Sequence, residues 1–386
     1  MRLPLLLKTP PLSLYIHLPW CVQKCPYCDF NSYRRSDNLD FTAYVAALLS
    51  DLRLESPLVA DRKVESIFIG GGTPSLFPPA EVRWLLQGVR DLIACDSSME
   101  VTLEANPGTL EAGRLAAYRK AGVTRLSLGV QSFNADALQR IGRIHGPDEV
   151  VRAFSQARSA GFGNINLDLM FGLPCQTVEE AARDLENAID LAPEHISYYQ
   201  LTIEPKTVFA TSPPPLPTEE CIWEMQQQGE VRLQAAGYWQ YEVSAYAQAQ
   251  YPCRHNLNYW NFGDYLGIGA GAHAKLSDEV RQCVWRRSRV AAPGAFLSAA
   301  GSDRVLAEKH KLGEADLIIE FMMNLLRLNT GFSRQLFQER TGLSYSKVEP
   351  LLSVARQRGL LQQAGEQWQP TAMGRRYLND LLTLFI

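Results

Sequence analysis

The chain has no apolar run of the ~18–20 residues that a membrane-spanning helix needs. Leu3 to Leu7 is apolar but too short for a signal-peptide core, and Lys8, Pro10 and Pro11 stop it. The expectation is a cytoplasmic protein with no integral membrane segment. Neither sign of charge is in excess: 38 Lys and Arg face 41 Asp and Glu, for a net charge of −3. Nothing in that balance draws the chain to nucleic acid or to an anionic membrane. Low-complexity tracts and internal repeats are missing too. A disulfide framework is not expected in a large cytoplasmic chain. At 386 residues with 46% hydrophobic content, the core can be large without staples.

Eight cysteines remain to be explained. Cys95, Cys175, Cys221, Cys253 and Cys283 are scattered and read as small buried hydrophobes. Cys21, Cys25 and Cys28 are packed into "WCVQKCPYCDF" at Trp20 to Phe30.

Short β-rich runs alternate with helical patterns from Leu12 onward. The runs are 12–18, 66–72, 101–105, 125–132, 164–172 and 196–203, with helices expected near 40–55, 79–94, 110–121, 147–160 and 177–191. This alternation predicts an α/β fold with a parallel sheet. Six units are too few for an eight-stranded barrel, so a three-quarter barrel or an open sheet is expected. "TSPPPLP" at 211–217 breaks the pattern. The expected division is 1–210 for the partial barrel, 211–300 for an extension and 301–386 for a small, mainly helical domain. That last part reads as three helices, a two-stranded excursion and a final helix, an order that resembles a winged helix. Its acids and bases balance, so a cap or docking role is expected rather than DNA binding.

Polar residues fall in phase at the strand ends. "GGGTPS" (70–75) follows the second strand, Glu104 ends the third, Gln131 ends the fourth and Asp168 lies in the fifth. Ligand sites in parallel βα folds lie at the C-terminal ends of strands. Capping and turn roles would account for any one of these residues, but four in register point to a shared mouth. The glycines allow close backbone approach to a ligand, as would any tight turn.

Three clustered thiolates suit two metal chemistries. A structural zinc takes four ligands, and His17 would have to be the fourth, reaching past Pro19. An iron–sulfur cube takes one cysteine per iron, so three leave one iron open to a small chelating molecule.

The spacing C-x₃-C-x₂-C after the first strand resembles the radical S-adenosylmethionine (SAM) superfamily. "YIHLPWCVQKCPYCDFNSY", "IFIGGGTPSLF", "EANPG", "RLSLGVQSFN", "IGRIH" and "NLDLMFGLPCQT" are similar to one branch of it. That branch holds the oxygen-independent coproporphyrinogen III oxidases and the related HemW-type heme chaperones. The likeness covers 12–280 closely and the rest loosely. It implies a [4Fe-4S] cluster on Cys21, Cys25 and Cys28, with SAM on the open iron and radical cleavage of SAM by the reduced cluster. It also implies SAM contacts at Tyr15, Gly71 and Glu104. Tyr27, Gly72, Thr73, Gln131, Arg143 and Asp168 match positions that hold a second SAM in the oxidases.

Two departures weigh against the oxidase. Its motif carries a further cysteine where this chain has Phe30, and only 20 residues precede Cys21. "HNLNYW" (255–260) resembles a segment of the chaperones instead. His255 could ligate heme iron, and Tyr259 and Trp260 could stack on a macrocycle. Cys253 is another possible iron ligand, and the basic run at 285–290 either meets heme propionates or is a solvated face. His145, His195, His273 and His310 read as structural. The expected function is a heme chaperone that binds heme and passes it to heme-accepting proteins, as monomer or homodimer. The alternative is radical decarboxylation of coproporphyrinogen propionates, and a third class is a binding protein with a vestigial cluster.

Overall fold

A computed structural model of the protein describes residues 6–386. Leu3 to Leu5 of the apolar N-terminal stretch lie outside the described residues. Six parallel strands form the centre: β1 (Leu12–Leu18), β2 (Val64–Gly71), β3 (Cys95–Ala105), β4 (Arg125–Gln131), β5 (Ile165–Phe171) and β6 (His195–Gln200). They match the six expected runs. Between them lie the crossover helices α1 (Phe41–Glu55), α2 (Pro79–Leu92), α3 (Ala112–Ala121), α4 (Pro147–Ser159) and α5 (Val178–Asp190). Local signals start them: Asp40 caps α1, and Thr177 and Glu180 form a capping box at α5.

The strands alternate strictly. Leu12, Leu14, Ile16 and Leu18, then Ile67 and Ile69, Val101 and Leu103, and Leu126 and Leu128 all enter one large apolar core. So do Ile165, Leu167 and Leu169. The alternate positions carry Ser13, Tyr15, Ser66, Glu100, Glu104, Arg125, Ser127, Asn166, Asp168, His195 and Ser197. Parallel sheets covered on both faces usually read as unbroken apolar runs. Here one face is polar, as a sheet wrapped around a ligand space requires.

The extension adds strands at both ends of this sheet. A hairpin of β7 (Trp239–Glu242) and β8 (Ala245–Ala247) pairs with β6, and β9 (Asp264–Ile268) pairs in parallel with β1. β10 (His273–Asp278), β11 (Cys283–Arg289) and β12 (Leu306–Lys311) follow antiparallel. The twelve strands run β12-β11-β10-β9-β1-β2-β3-β4-β5-β6-β8-β7. The large sheet therefore reaches Lys311, past residue 300, through pairing of Leu306–Lys311 with β11; "LAEKHK" is too polar to read as a strand from sequence. Beyond it, Glu314–Leu325, Arg334–Thr341 and Glu349–Gln357 are helices, and Leu361–Ala364 pairs with Gln367–Pro370. They share a second apolar core that also takes in Leu7, Phe262 and Val284. Among the described residues no helix is long and apolar enough to cross a membrane.

Two sets of buried ions brace the far sheet. Asp264 is fully buried and meets Lys275 at 2.8 Å and Arg62 at 2.9 Å. Burial pushes its carboxyl up, but Lys275, Arg62 and the Ser277 N–H outweigh this and hold it below the ordinary range. Arg289 is buried against Asp51, at 2.9 Å, and Glu55, at 3.1 Å. Arg287 also meets Glu55, and Arg286 meets Glu320. The basic run at 285–290 is thus a strand of internal ion pairs, neither a solvated face nor a set of free propionate ligands. Its alternation was masked because every partner is distant in sequence.

Removing Asp264 would strand the Lys275 ammonium in the interior. Asp264→Ala should lose about 3–5 kcal/mol in urea unfolding. A loss below about 1 kcal/mol would mean that the ions are screened by solvent rather than by each other.

Candidate functional site

The cysteine loop begins where β1 ends. Trp20–Cys21 pairs with Tyr33–Arg34, and the Tyr33 N–H donates to the Pro19 carbonyl at 2.7 Å. These bonds close the neck of the loop, so residues 22–32 bulge as one unit. Within it the Cys28 N–H donates to the Cys25 carbonyl at 3.1 Å, a turn with Pro26 and Tyr27 at its centre. Trp20 anchors the base edge-on to Tyr44, with ring centroids 4.5 Å apart.

The glycine segment after β2 is hydrogen-bonded straight to this loop. Gly72 N–H donates to Leu18 and Thr73 N–H to Trp20, both at 2.8 Å. Gly71 has φ +116°, and a Cβ there would stand 2.6 Å from the His17 ring. A Cβ on Gly72 would stand 2.6 Å from the Trp20 carbonyl oxygen. The glycines therefore serve close packing of two loops as well as any ligand.

Cys21, Cys25, Cys28, Tyr27, Gly71, Gly72, Thr73, Glu104, Gln131, Arg143 and Asp168 all line one cavity of about 600 Å³. Cys21 is buried, and burial pushes its thiol up while the Thr73 and Ser32 side chains pull it back. Among the described residues no three His, Cys, Asp or Glu side chains stand close enough to share one ion. A cube gives each thiolate its own iron, so thiols spaced around a wall suit it better than a single zinc. His17 does not join them: its Nδ1 meets the Tyr15 hydroxyl at 3.0 Å and its Nε2 the Asn31 carbonyl at 2.9 Å.

Two carboxylates line the same cavity. Glu104 accepts the Gly71 N–H at 3.1 Å. Burial, with the Asp168 charge adding to it, pushes the Glu104 carboxyl up to about 8, against the pull of that N–H. Asp168 accepts from Ser127 Oγ at 2.9 Å and from Asn166 Nδ2 at 2.8 Å. Gln131, at φ +70°, accepts the Tyr199 hydroxyl at 2.7 Å. Arg143 donates to the Gly129 carbonyl at 2.6 Å and reaches Cys25 Sγ at 3.7 Å, while its buried Nε has no partner. The wall thus offers acceptors for hydroxyl or ammonium groups on one side and a guanidinium beside the thiols.

Tyr15 is not on this wall. Its ring stacks on Phe68, and its hydroxyl meets His17 Nδ1 at 3.0 Å. The 255–260 segment divides in the same way. It forms α6, Arg254–Trp260, seated on the inner face of β1 and β2 through bonds from Asn258 to Ser13 and between His255 and Ser66. His255 is 8% exposed, with Nδ1 3.3 Å from Ser66 Oγ, and burial pushes it down to about 3. Tyr259 packs on Tyr265. Trp260 lines the cavity, its Nε1 is buried without a partner, and Arg327 lies 4.3 Å over its ring. Cys253 is fully buried against Glu100, and burial raises its thiol to about 12, as suits the inert reading and not an exposed iron ligand.

Met170, Ser197, Tyr199, Asn256 and Glu242 also line the cavity. The first three continue the two-residue period of β5 and β6, a signal present in the sequence. Glu242 comes from the hairpin, which no local pattern places there.

The chain is similar to known proteins over its full length. Residues 15–188 match the family model of the Radical SAM superfamily, and 312–377 match the HemN C-terminal domain. The chain is 48% identical to the heme chaperone HemW of Haemophilus influenzae over 383 residues, 98% of this chain and 99% of that protein. It is 47% identical to the heme chaperone HemW of Escherichia coli, covering 99% and 100% of the two chains. The structure of coproporphyrinogen III oxidase (HemN) from Escherichia coli superimposes with a TM-score of 0.82 over 98% of this chain and 90% of that one. At 24% identity, that likeness speaks for the fold alone. The chain belongs to the HemW family of the radical SAM superfamily.

Proposed function

We propose that the protein is a heme chaperone, binding heme and passing it to heme-accepting proteins. What carries the reading is a cavity with three thiols on its wall, in a chain alike over its full length to proteins named heme chaperone HemW. Cys21, Cys25 and Cys28 would hold a [4Fe-4S] cluster, and Glu104, Asp168, Gln131 and Arg143 would orient SAM beside it. When bound, this pair supplies one-electron chemistry at the mouth of the cavity.

The chain's own residues then have separable tasks. The closed neck of the loop holds the thiols at the rim. Arg143 faces the sulfur side, where a thiolate or carboxylate is stabilised. Glu104 and Asp168 supply acceptors deeper in. Phe30 is 59% exposed at this mouth, at the position where the oxidases carry an extra cysteine, so this side of the rim offers an apolar surface instead. Within 255–260, Asn256 and Trp260 reach the cavity, and Trp260 would meet an aromatic macrocycle. His255 would act from below as a packing residue. Action in the cytoplasm belongs to the same reading.

Three outcomes follow from these assignments. Cys25→Ala, reconstituted anaerobically, should lose the visible charge-transfer absorbance of the cluster, and a full-strength spectrum would remove Cys25 as ligand. In hemin titrations Trp260→Ala should weaken binding by about five- to tenfold, with His255→Gln unchanged. The reverse pattern would place the iron on His255. Burial pushes the Glu104 carboxyl up to about 8 in the ligand-free protein, which favours its protonated form at neutral pH. A cationic ligand favours its ionised form, so SAM binding should release a proton. Affinity should therefore rise with pH, by up to about tenfold per unit below that pKa, and level off above it. Calorimetry in buffers of different ionisation heat reads the proton, and Glu104→Gln should abolish its release.

A further inference from the structure

Under the cavity floor a chain of hydrogen bonds runs from the C-terminal domain to Asp168. Its far end is the segment after the helix Glu314–Leu325. Arg327 pairs with Glu242 at 3.0 Å, Asn329 N–H donates to the Tyr241 carbonyl at 3.1 Å, and Asn329 Nδ2 donates to the Gln240 carbonyl at 2.7 Å. Glu242 also bridges to Leu328 as a short antiparallel pair. This grip fixes β7.

From β7 the Tyr241 hydroxyl reaches His195 Nε2 at 2.8 Å. His195 Nδ1 meets Asn166 Oδ1 at 2.6 Å, and Asn166 Nδ2 meets both Ser127 Oγ, at 2.7 Å, and Asp168 Oδ1, at 2.8 Å. Ser127 Oγ completes the set on Asp168 Oδ2 at 2.9 Å.

The donors and acceptors of this chain allow one polarity. A carboxylate only accepts, so the amide nitrogen of Asn166 must face Asp168 and its oxygen must face His195. The amide oxygen only accepts, so His195 carries its proton on Nδ1. Nε2 is then an acceptor, and the Tyr241 hydroxyl donates to it. Tyr241 in turn accepts the Cys253 N–H at 3.3 Å. His195 is 1% exposed, and burial keeps it neutral, as a single-tautomer relay of this kind needs.

We propose that Asn166, His195 and Tyr241 are positioning residues for Asp168, and that the C-terminal domain, through Arg327 and Asn329, holds them in register. Docking of that domain and ligand binding in the cavity are thereby coupled. The coupling rests on the reading that Asp168 contacts the bound SAM; the polarity of the chain does not.

The test uses the full chain, reconstituted with iron and sulfide, with S-adenosylhomocysteine as an unreactive probe. Tyr241→Phe removes only a hydroxyl, and Asn329→Ala lies outside the cavity. Each should weaken probe binding about three- to tenfold, and the double variant should lose less than the product of the two. Cluster absorbance should stay at the native value, and the melting temperature should fall only slightly, since Tyr241→Phe leaves the buried His195 Nε2 without a donor. Unchanged affinity in both variants would overturn the coupling. Histidine-selective ¹⁵N NMR supplies the second arm. His195 should be the Nδ1–H tautomer, and its resonances should move in Asn329→Ala. An Nε2–H tautomer would overturn the chain's polarity. If the native protein fails to bind the probe while the His195 signals behave as expected, the ligand reading fails and the positioning network stands.

Discussion

Side chains on a strand alternate with a period of two, and the whole site depends on how the six parallel strands use that period. One set of positions is apolar and joins the strands to the crossover helices. The other set is polar and turned inward, so the space inside the sheet is lined with carboxylates, hydroxyls, amides and a guanidinium. Burying so many polar groups is tolerable only when each finds a partner. The Asn166–Asp168–Ser127 and His195–Tyr241 contacts provide many of those partners, and Ser127 and Asp168 stand at the cavity wall with Glu104, Gln131 and Arg143.

The cysteine loop sits at the open end of this arrangement. Its place is set by backbone bonds to the glycine segment, where any side chain at Gly71 or Gly72 would collide with His17 or Trp20. The thiols and the carboxylates are therefore held by two different devices, a stapled loop and a sheet face, which meet at one cavity. Elements distant in sequence close it. The hairpin at 239–247 contributes Glu242, and α6 contributes Trp260.

Much of this was legible in the sequence because it is local. Strand alternation, caps and the cysteine spacing each lie within one element. The register of Glu104, Gln131 and Asp168 at successive strand ends followed from the βα order. The failures share a cause. Arg286, Arg287 and Arg289 read as a basic surface because Glu320, Glu55 and Asp51 are far away in the chain. The strand Leu306–Lys311 was hidden by its charges. His255 and Trp260 lie in one short helix, yet only the turn of that helix decides that the tryptophan meets the cavity and the histidine meets Ser66.

The central claim is that three protein ligands leave one metal position for a ligand from outside the chain. The most direct test is electron paramagnetic resonance of the anaerobically reconstituted, reduced protein, recorded with and without SAM. The account predicts a reduced cluster signal whose g-values shift when SAM is added. A cluster spectrum indifferent to SAM at saturating concentration would mean that no position is open, and would contradict it.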